Sequence, residues 1–247
     1  MKALYAKSTS ITDEPYTYCP GCSHGIVHRL VAESIDELGI RENTIGVSSI
    51  GCSVRCWKFL DFDFVQAAHG RALALATGVK RAEPDKTVFT YQGDGDLLAI
   101  GMAETVHAAS RGENVTVIFV NNAVFGATGG QLAPTTLIGQ KTVTYPDGRT
   151  CAEIGMPIRM SELLATLDTT AYIARVALNN PANVITAKKA VKKAFATQLA
   201  GKGFSMVELL SACPSNLKMS SVDSLKWVGD NMISYYPLGI FKEPGEV

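Results

Sequence analysis

Between residues 86 and 122 the chain runs strand-like, then helical, then strand-like again, and each strand-like run ends in an unusual polar pair. "KTVFTYQ" (86–92) is apolar and β-prone and leads into "GDGD". "LLAIGMAETVHAASRG" (97–112) has helical composition and closes on a glycine, and "VTVIFVNN" (115–122) ends in two asparagines. Parallel strands joined by a right-handed crossover finish on the same side of their sheet. Similar alternation surrounds this unit. "HGIVHRLVAESIDEL" (24–38) carries apolar residues at helical spacing, "TIGVSSIG" (44–51) reads as a buried strand and "GRALALATGVKRA" (70–82) as a helix. "AYIARVAL" (171–178) and "FSMVELL" (204–210) read as strands flanking a helix at about 184–200. The expected fold class is therefore α/β: a mostly parallel sheet with helices on both faces. Segment 123–160, rich in Gly, Pro and Thr, fits neither pattern, and long irregular stretches inside compact domains tend to be functional.

A chain of 247 residues suits one large domain and is short for two. Lys+Arg and Asp+Glu balance at 23 each, so electrostatics gives no reason to expect nucleic acid or an anionic membrane as partner. The apolar run "VTVIFV" (115–120) is strand-length, far below the ~20 residues of a membrane span. "MKALYAKSTSITDEPY" has no apolar h-region, which points to the cytoplasm and makes disulfides the weaker explanation for the six cysteines.

Asp94 and Asn122 follow the two strands of the opening unit and can face each other across the carboxyl edge, where open α/β sheets bind ligands. A carboxylate and an amide oxygen are hard donors suited to Mg²⁺, which completes its shell with water and phosphate. Gly93 and Gly95 let the backbone approach those phosphates, and the helix starting near Leu97 offers its N-terminus to their charge. The competing reading is a plain strand-to-helix turn with Asp96 as N-cap and no metal. The cysteines form a second constellation. Cys19 and Cys22 sit at C-x2-C spacing, Cys52 follows a strand, and Cys213 follows another. Those four can saturate a 4Fe–4S cluster, while Cys19, Cys22, Cys52 and Cys56 could equally hold zinc, and spacing alone leaves both open.

The "GDG" turn followed by a helix, a strand and "NN" resembles the thiamin diphosphate signature. That resemblance implies a diphosphate-half thiamin diphosphate fold, with Asp94, Asn122 and the carbonyl of Val124 holding Mg²⁺ on the diphosphate. "VFGATGGQ" (124–131), which contains Phe125, Gly126, Ala127 and Thr128, looks like the loop that closes over the cofactor in 2-oxoacid:ferredoxin oxidoreductases. "HGRALALATGVKRA" (69–82) resembles that family's segment beside the diphosphate. His69 would then be a diphosphate donor, with Gly70 and Arg71 adjoining. "CPGCSH" resembles the CPGCGH opening of the family's β subunit, with Ser23 in place of the usual glycine. On this pattern Cys19, Cys22, Cys52 and Cys213 are the 4Fe–4S ligands, Cys52 and Ser53 adjoin the cofactor, and Cys56 and Cys151 have no role. The chain would then be one domain over 1–247, with a cluster-binding arm at about 1–23 and a C-terminal extension at about 213–247.

The function implied by the resemblance is CoA-dependent oxidative decarboxylation of a 2-oxoacid to acyl-CoA and CO₂, with electrons passing through the cluster to ferredoxin. The expected partners are an α subunit that supplies the cofactor-activating glutamate, a ferredoxin-like subunit and ferredoxin itself. Glu104 lies inside the helix after "GDGD" and is expected to be structural. Arg55 is the expected contact for the substrate carboxylate. Ala127 stands where relatives often carry Leu or Met, which favours a branched-chain substrate such as 2-oxoisovalerate. The rival readings are a non-redox thiamin diphosphate decarboxylase subunit, which has no use for the four cysteines, and a zinc-stapled scaffold subunit.

Overall fold

Strands β1 (Thr44–Ser48), β2 (Asp63–Gln66), β3 (Thr87–Gly93), β4 (Thr116–Asn121), β5 (Thr170–Ala177), β6 (Phe204–Leu210) and β7 (Gly239–Lys242) make one sheet in the order β2-β1-β3-β4-β6-β5-β7. Every pairing is parallel except that of β7 with β5. The structure is a computed structural model that describes residues 6–243. The outermost parts of the expected arm and extension, 1–5 and 244–247, lie outside the described residues. No helix among the described residues is long and apolar enough to cross a membrane.

Both faces of the sheet are covered. Helices α1 (His24–Leu38) and α6 (Pro181–Leu199) pack on one face against Phe89, Tyr91, Ile118 and Val120. On the other, α2 (Ala72–Ala82), α3 (Met102–Ser110) and α5 (Met160–Ala165) pack against Val88, Val117 and Phe119. Successive residues of β3 and β4 thus alternate between two cores, which is why both strands read as continuous apolar runs rather than as polar–apolar alternation. Helix α6 starts three residues earlier than its periodicity suggested. Asn180 caps it, accepting from Asn183 N at 2.9 Å, and Pro181 occupies the first turn.

The structure differs from the sequence expectation in three ways. The strand expected over 44–51 stops at Ser48, and Cys52–Lys58 forms a 3₁₀ turn instead. The helix expected over 97–112 is broken into a π-helical turn, Gly95–Ile100, and α3. The cause lies in a close backbone approach: a Cβ on Gly101 would stand 2.7 Å from Gly70 O, and Gly70 itself has φ +76°. The break falls where these two backbones come close, and a π-bulge there carries the extra residue. The third difference is what went unforeseen: β2, α5, β7, α7 (Pro214–Leu217) and α8 (Ser221–Trp227). β2 and β7 are four-residue edge strands, partly exposed and too short to show a period.

The terminal segments are tied to the body. Ser8 and Ser10 hydroxyls and Thr9 N donate to Asp36 of α1. Val228, Met232 and Tyr236 form a third apolar cluster with Ala123, Leu137 and Leu210.

A charged group sits within this sheet. Arg175 of β5 is fully buried, donating from Nε to Glu208 Oε2 at 2.8 Å and from Nη1 to Glu162 Oε1 at 2.9 Å. Glu208 also accepts from Ser161 Oγ at 2.6 Å and Asn121 Nδ2 at 2.7 Å. Breaking a buried pair strands the remaining charge. Arg175→Leu is expected to lower stability by about 3–5 kcal/mol, read as a melting point roughly 10 °C lower by calorimetry.

Candidate cofactor and cluster site

The carboxyl ends of β1, β3 and β4 open into a cavity of about 270 Å³. Thirteen of the residues expected at the cofactor line it: Cys52, Ser53, His69, Gly93, Asp94, Gly95, Asp96, Asn122, Val124, Phe125, Gly126, Ala127 and Thr128. Gly70, Arg71 and Arg55 are not among the lining residues. The Arg71 guanidinium pairs with Glu104 of α3. Arg55 is exposed, with Nη1 donating to Thr17 O at 3.2 Å.

Asp94 is buried. Its Oδ1 accepts from Gly95 N at 2.9 Å, and its Oδ2 accepts from Val124 N at 3.1 Å and Thr135 Oγ1 at 2.6 Å. Burial raises its carboxyl to about 6, only partly offset by those hydrogen bonds. Asn122 Oδ1 is buried with no partner at all. A buried carboxylate held by neutral donors and an orphaned amide oxygen line one cavity. This donor set fits Mg²⁺, whose charge would offset the first and whose shell would satisfy the second.

Asp96 is not the N-cap of the alternative reading; Asp94 fills that place. The Asp96 carboxylate accepts from Ser49 Oγ at 2.7 Å, Gly70 N at 2.6 Å and Gln92 Nε2 at 2.6 Å, and it also engages His69 Nδ1. It braces the ends of β1 and β3 together, and it leaves Nε2 as the His69 nitrogen open to a ligand. Gly95 has a packing reason to lack a side chain, since a Cβ there would stand 2.2 Å from the Phe125 ring.

Of the cysteines, Cys52 lines this cavity, and Cys19, Cys22 and Cys213 lie near enough to influence one another's thiols. Cys19 is exposed, Cys22, Cys52 and Cys213 are half-buried, and all are free thiols. Burial raises the Cys22 thiol to about 12, with Cys213, Cys52 and Cys19 adding to the shift, and the Cys52 thiol to about 11, with Cys213 and Cys19 adding. Burial likewise raises Cys213, against hydrogen bonds from Asn216, whose Nδ2 stands 3.1 Å from its Sγ. Cys56 is fully buried in the α1 core, and Cys151 is exposed on the short helix α4 (Cys151–Ile154). Among the described residues, no three His, Cys, Asp or Glu side chains are drawn together as a single ion's shell requires.

Sequence reasoning missed four residues that organise this region. His24 lines the cavity with Nδ1 2.8 Å from Tyr91 Oη, and burial lowers its imidazole to about 4. Ser23 Oγ accepts from Ala212 N at 3.1 Å, tying the Cys22 segment to the Cys213 segment. Thr135 holds Asp94 from inside the irregular segment, and Asn216 donates to Gly126 O at 3.2 Å. Ser23 and His24 carried a signal, because both lie in the motif "CPGCSH".

Residues 49–209 match the family described as thiamine pyrophosphate enzyme, C-terminal TPP binding domain. The fold and site therefore define a thiamine-pyrophosphate-binding domain. The chain is 48% identical over 226 residues to ketoisovalerate oxidoreductase subunit VorA of Methanothermobacter marburgensis, covering 92% of this chain and 47% of that one. It is 38% identical over 231 residues to 2-oxoglutarate synthase subunit KorB of Archaeoglobus fulgidus, covering 94% and 82%. Among solved structures it superposes on the 2-oxoglutarate:ferredoxin oxidoreductase of Magnetococcus marinus with 2-oxoglutarate, coenzyme A and succinyl-CoA bound. That match has a TM-score of 0.81 at 25% identity and covers 99% and 87% of the two chains. The chain belongs to the 2-oxoacid:ferredoxin oxidoreductase family. It spans about half the length of the VorA relatives it matches.

Asp94→Asn keeps the shape of the site and removes its charge. Calorimetric titration with thiamin diphosphate and Mg²⁺ should show affinity reduced by ~10²-fold or more. The melting point without cofactor should hold or rise, because the buried carboxylate is gone.

Proposed function

We propose that this chain is the thiamin diphosphate-binding β subunit of a 2-oxoacid:ferredoxin oxidoreductase. In this reading the complex converts a 2-oxoacid, CoA and oxidised ferredoxin to an acyl-CoA, CO₂ and reduced ferredoxin. The observation that carries this reading is that Cys52 lines the same cavity as Asp94 and Asn122. A cluster ligand at the cofactor's wall brings an electron acceptor beside the carbon that loses CO₂, and that is what separates an oxidoreductase from a decarboxylase. Bound here, the cofactor's thiazolium would supply the electron sink for that loss.

The chain's own residues bind and orient. Asp94, Asn122 and the Val124 carbonyl would hold Mg²⁺ on the diphosphate, and His69, steadied by Asp96, would donate to it. Phe125, Gly126, Ala127 and Thr128 wall the cavity, with Gly93 and Gly95 leaving the backbone bare to phosphate. Cys19, Cys22, Cys52 and Cys213 would hold a 4Fe–4S cluster. His24, neutral by burial, adds no charge to this wall. The chain would act as one domain with a cluster-binding arm, in the cytoplasm. An α subunit would supply the activating glutamate, a ferredoxin-like subunit would take the electrons onward, and CoA would accept the acyl group.

For the substrate we favour a branched-chain 2-oxoacid such as 2-oxoisovalerate. Ala127 is a small residue in the cavity wall, and ketoisovalerate is the substrate in the VorA relatives' name. Arg55 would meet the substrate carboxylate from outside the cavity lining. In the assembled complex, Arg55→Ala should raise the KM for 2-oxoisovalerate roughly tenfold with kcat little changed; an unchanged KM removes that role.

The deciding experiment is an anaerobic visible and EPR spectrum of the purified chain, before and after dithionite. We expect a broad brown absorbance that bleaches, together with a reduced-cluster signal, both abolished in Cys52→Ser. A colourless, zinc-loaded protein would return the chain to the scaffold or decarboxylase readings. Reconstituted alone, the chain should not turn over, and adding the α subunit should restore activity.

A further inference from the structure

Asn122 has an expected partner in the metal, but the asparagine before it has none. Asn121 ends β4 fully buried. Its Nδ2 donates to Glu208 Oε1 at 2.7 Å, and its Oδ1 accepts from Ala123 N at 3.2 Å. Glu208 is held by Arg175 and Ser161, so the Asn121 amide is clamped from behind and its oxygen is aimed forward.

Ala123, the residue it steadies, has φ +60° and is fully buried. An alanine in the left-handed region costs about 1–2 kcal/mol, and such strain persists only where the surroundings impose it. The Ala123 carbonyl accepts from Thr136 Oγ1 at 2.8 Å and Gln140 Nε2 at 3.0 Å. One residue on, Val124 N donates to Asp94 Oδ2 at 3.1 Å. The strained turn therefore lies between Asn122, with its orphaned Oδ1, and Val124, whose carbonyl is the third expected metal donor.

We propose that Asn121 is a positioning residue. Clamped by Glu208, its side chain holds Ala123 in the left-handed turn, and the turn sets Asn122 and the Val124 carbonyl at the spacing a divalent cation needs. This rests on the metal–diphosphate reading of the site. Without the Asn121 oxygen, Ala123 N becomes an unpaired buried donor, and alanine has no reason of its own to stay at positive φ. Glycine would stay there at no steric cost.

The test uses the full chain with thiamin diphosphate, titrated with Mn²⁺ and followed by EPR, with melting of the metal-free protein recorded in parallel. Asn121→Ala should weaken Mn²⁺ binding by roughly tenfold or more. In an Ala123→Gly background the same truncation should cost little, because glycine keeps the turn without help. General loosening of the core would not be repaired by glycine, which removes a further buried methyl. Equal losses in the two backgrounds, or undiminished binding in Asn121→Ala, overturn the proposal. Should Asn121→Ala be too unstable to purify, Asn121→Ser still offers an acceptor to the N–H two residues on. It should then bind Mn²⁺ more weakly than the native chain and, once more, be restored by Ala123→Gly; no restoration overturns the proposal. A native chain that binds no Mn²⁺ with thiamin diphosphate overturns the metal reading itself, and this inference with it.

Discussion

Parallel pairing is the constraint on which the rest of this molecule depends. Gly93 of β3 lies in register with Val120 of β4, so the residues leaving the two strands emerge side by side at one level of the sheet. Helices cover both faces, and polar chemistry is left to the carboxyl edge. Aspartate follows one strand and asparagine the other, and neither needs a long loop to reach its neighbour.

Placing a charge at such an edge requires a frame that does not move. Asp96 supplies part of it by gathering a hydroxyl from the end of β1, a backbone N–H from the approach to α2 and an amide from β3. The π-helical turn that follows lets Gly101 pass within reach of the Gly70 backbone. Behind the sheet, the Arg175–Glu208 pair ties β5 to β6 and reaches β4 through Asn121. Two carboxylates of similar burial thus serve different ends. Asp96 accepts from four groups of the protein, whereas Asp94 accepts from three neutral donors beside the orphaned Asn122 oxygen.

How much of this was legible in the sequence follows from how each residue advertises itself. The strands at 86–92, 115–122, 171–178 and 204–210 declared themselves because burial on both faces demands unbroken apolar runs. Helix 24–38 did so through its period. Asp94, Asn122 and the cysteines stood out because polar residues at strand ends have few structural reasons to be there. Edge strands β2 and β7 were silent, being short and half wet. Thr135 was silent, and the tie that Ser23 makes to Ala212 was unforeseen, for another reason: a hydroxyl that holds a carboxylate or a backbone N–H across a long sequence separation leaves no local pattern. Arg55 differs again: its neighbourhood in sequence suggested the substrate, its side chain lies against Thr17 outside the cavity lining, and its proposed contact with the carboxylate therefore rests on the sequence.

The cysteine-bearing segments come from three distant parts of the chain, and hydrogen bonds within the protein link them. Tyr18 Oη donates to Cys52 O at 3.0 Å, Ser23 ties its segment to Ala212, and Asn216 links Cys213 to the cavity loop. Hydrogen bonds within the chain thus place much of the entropy cost of ordering these segments in the folding of the domain itself. In small zinc modules the metal's binding energy is also the folding energy. On the proposed reading, a cluster would add to a framework that the chain's own contacts already shape, and its loss would leave those contacts in place.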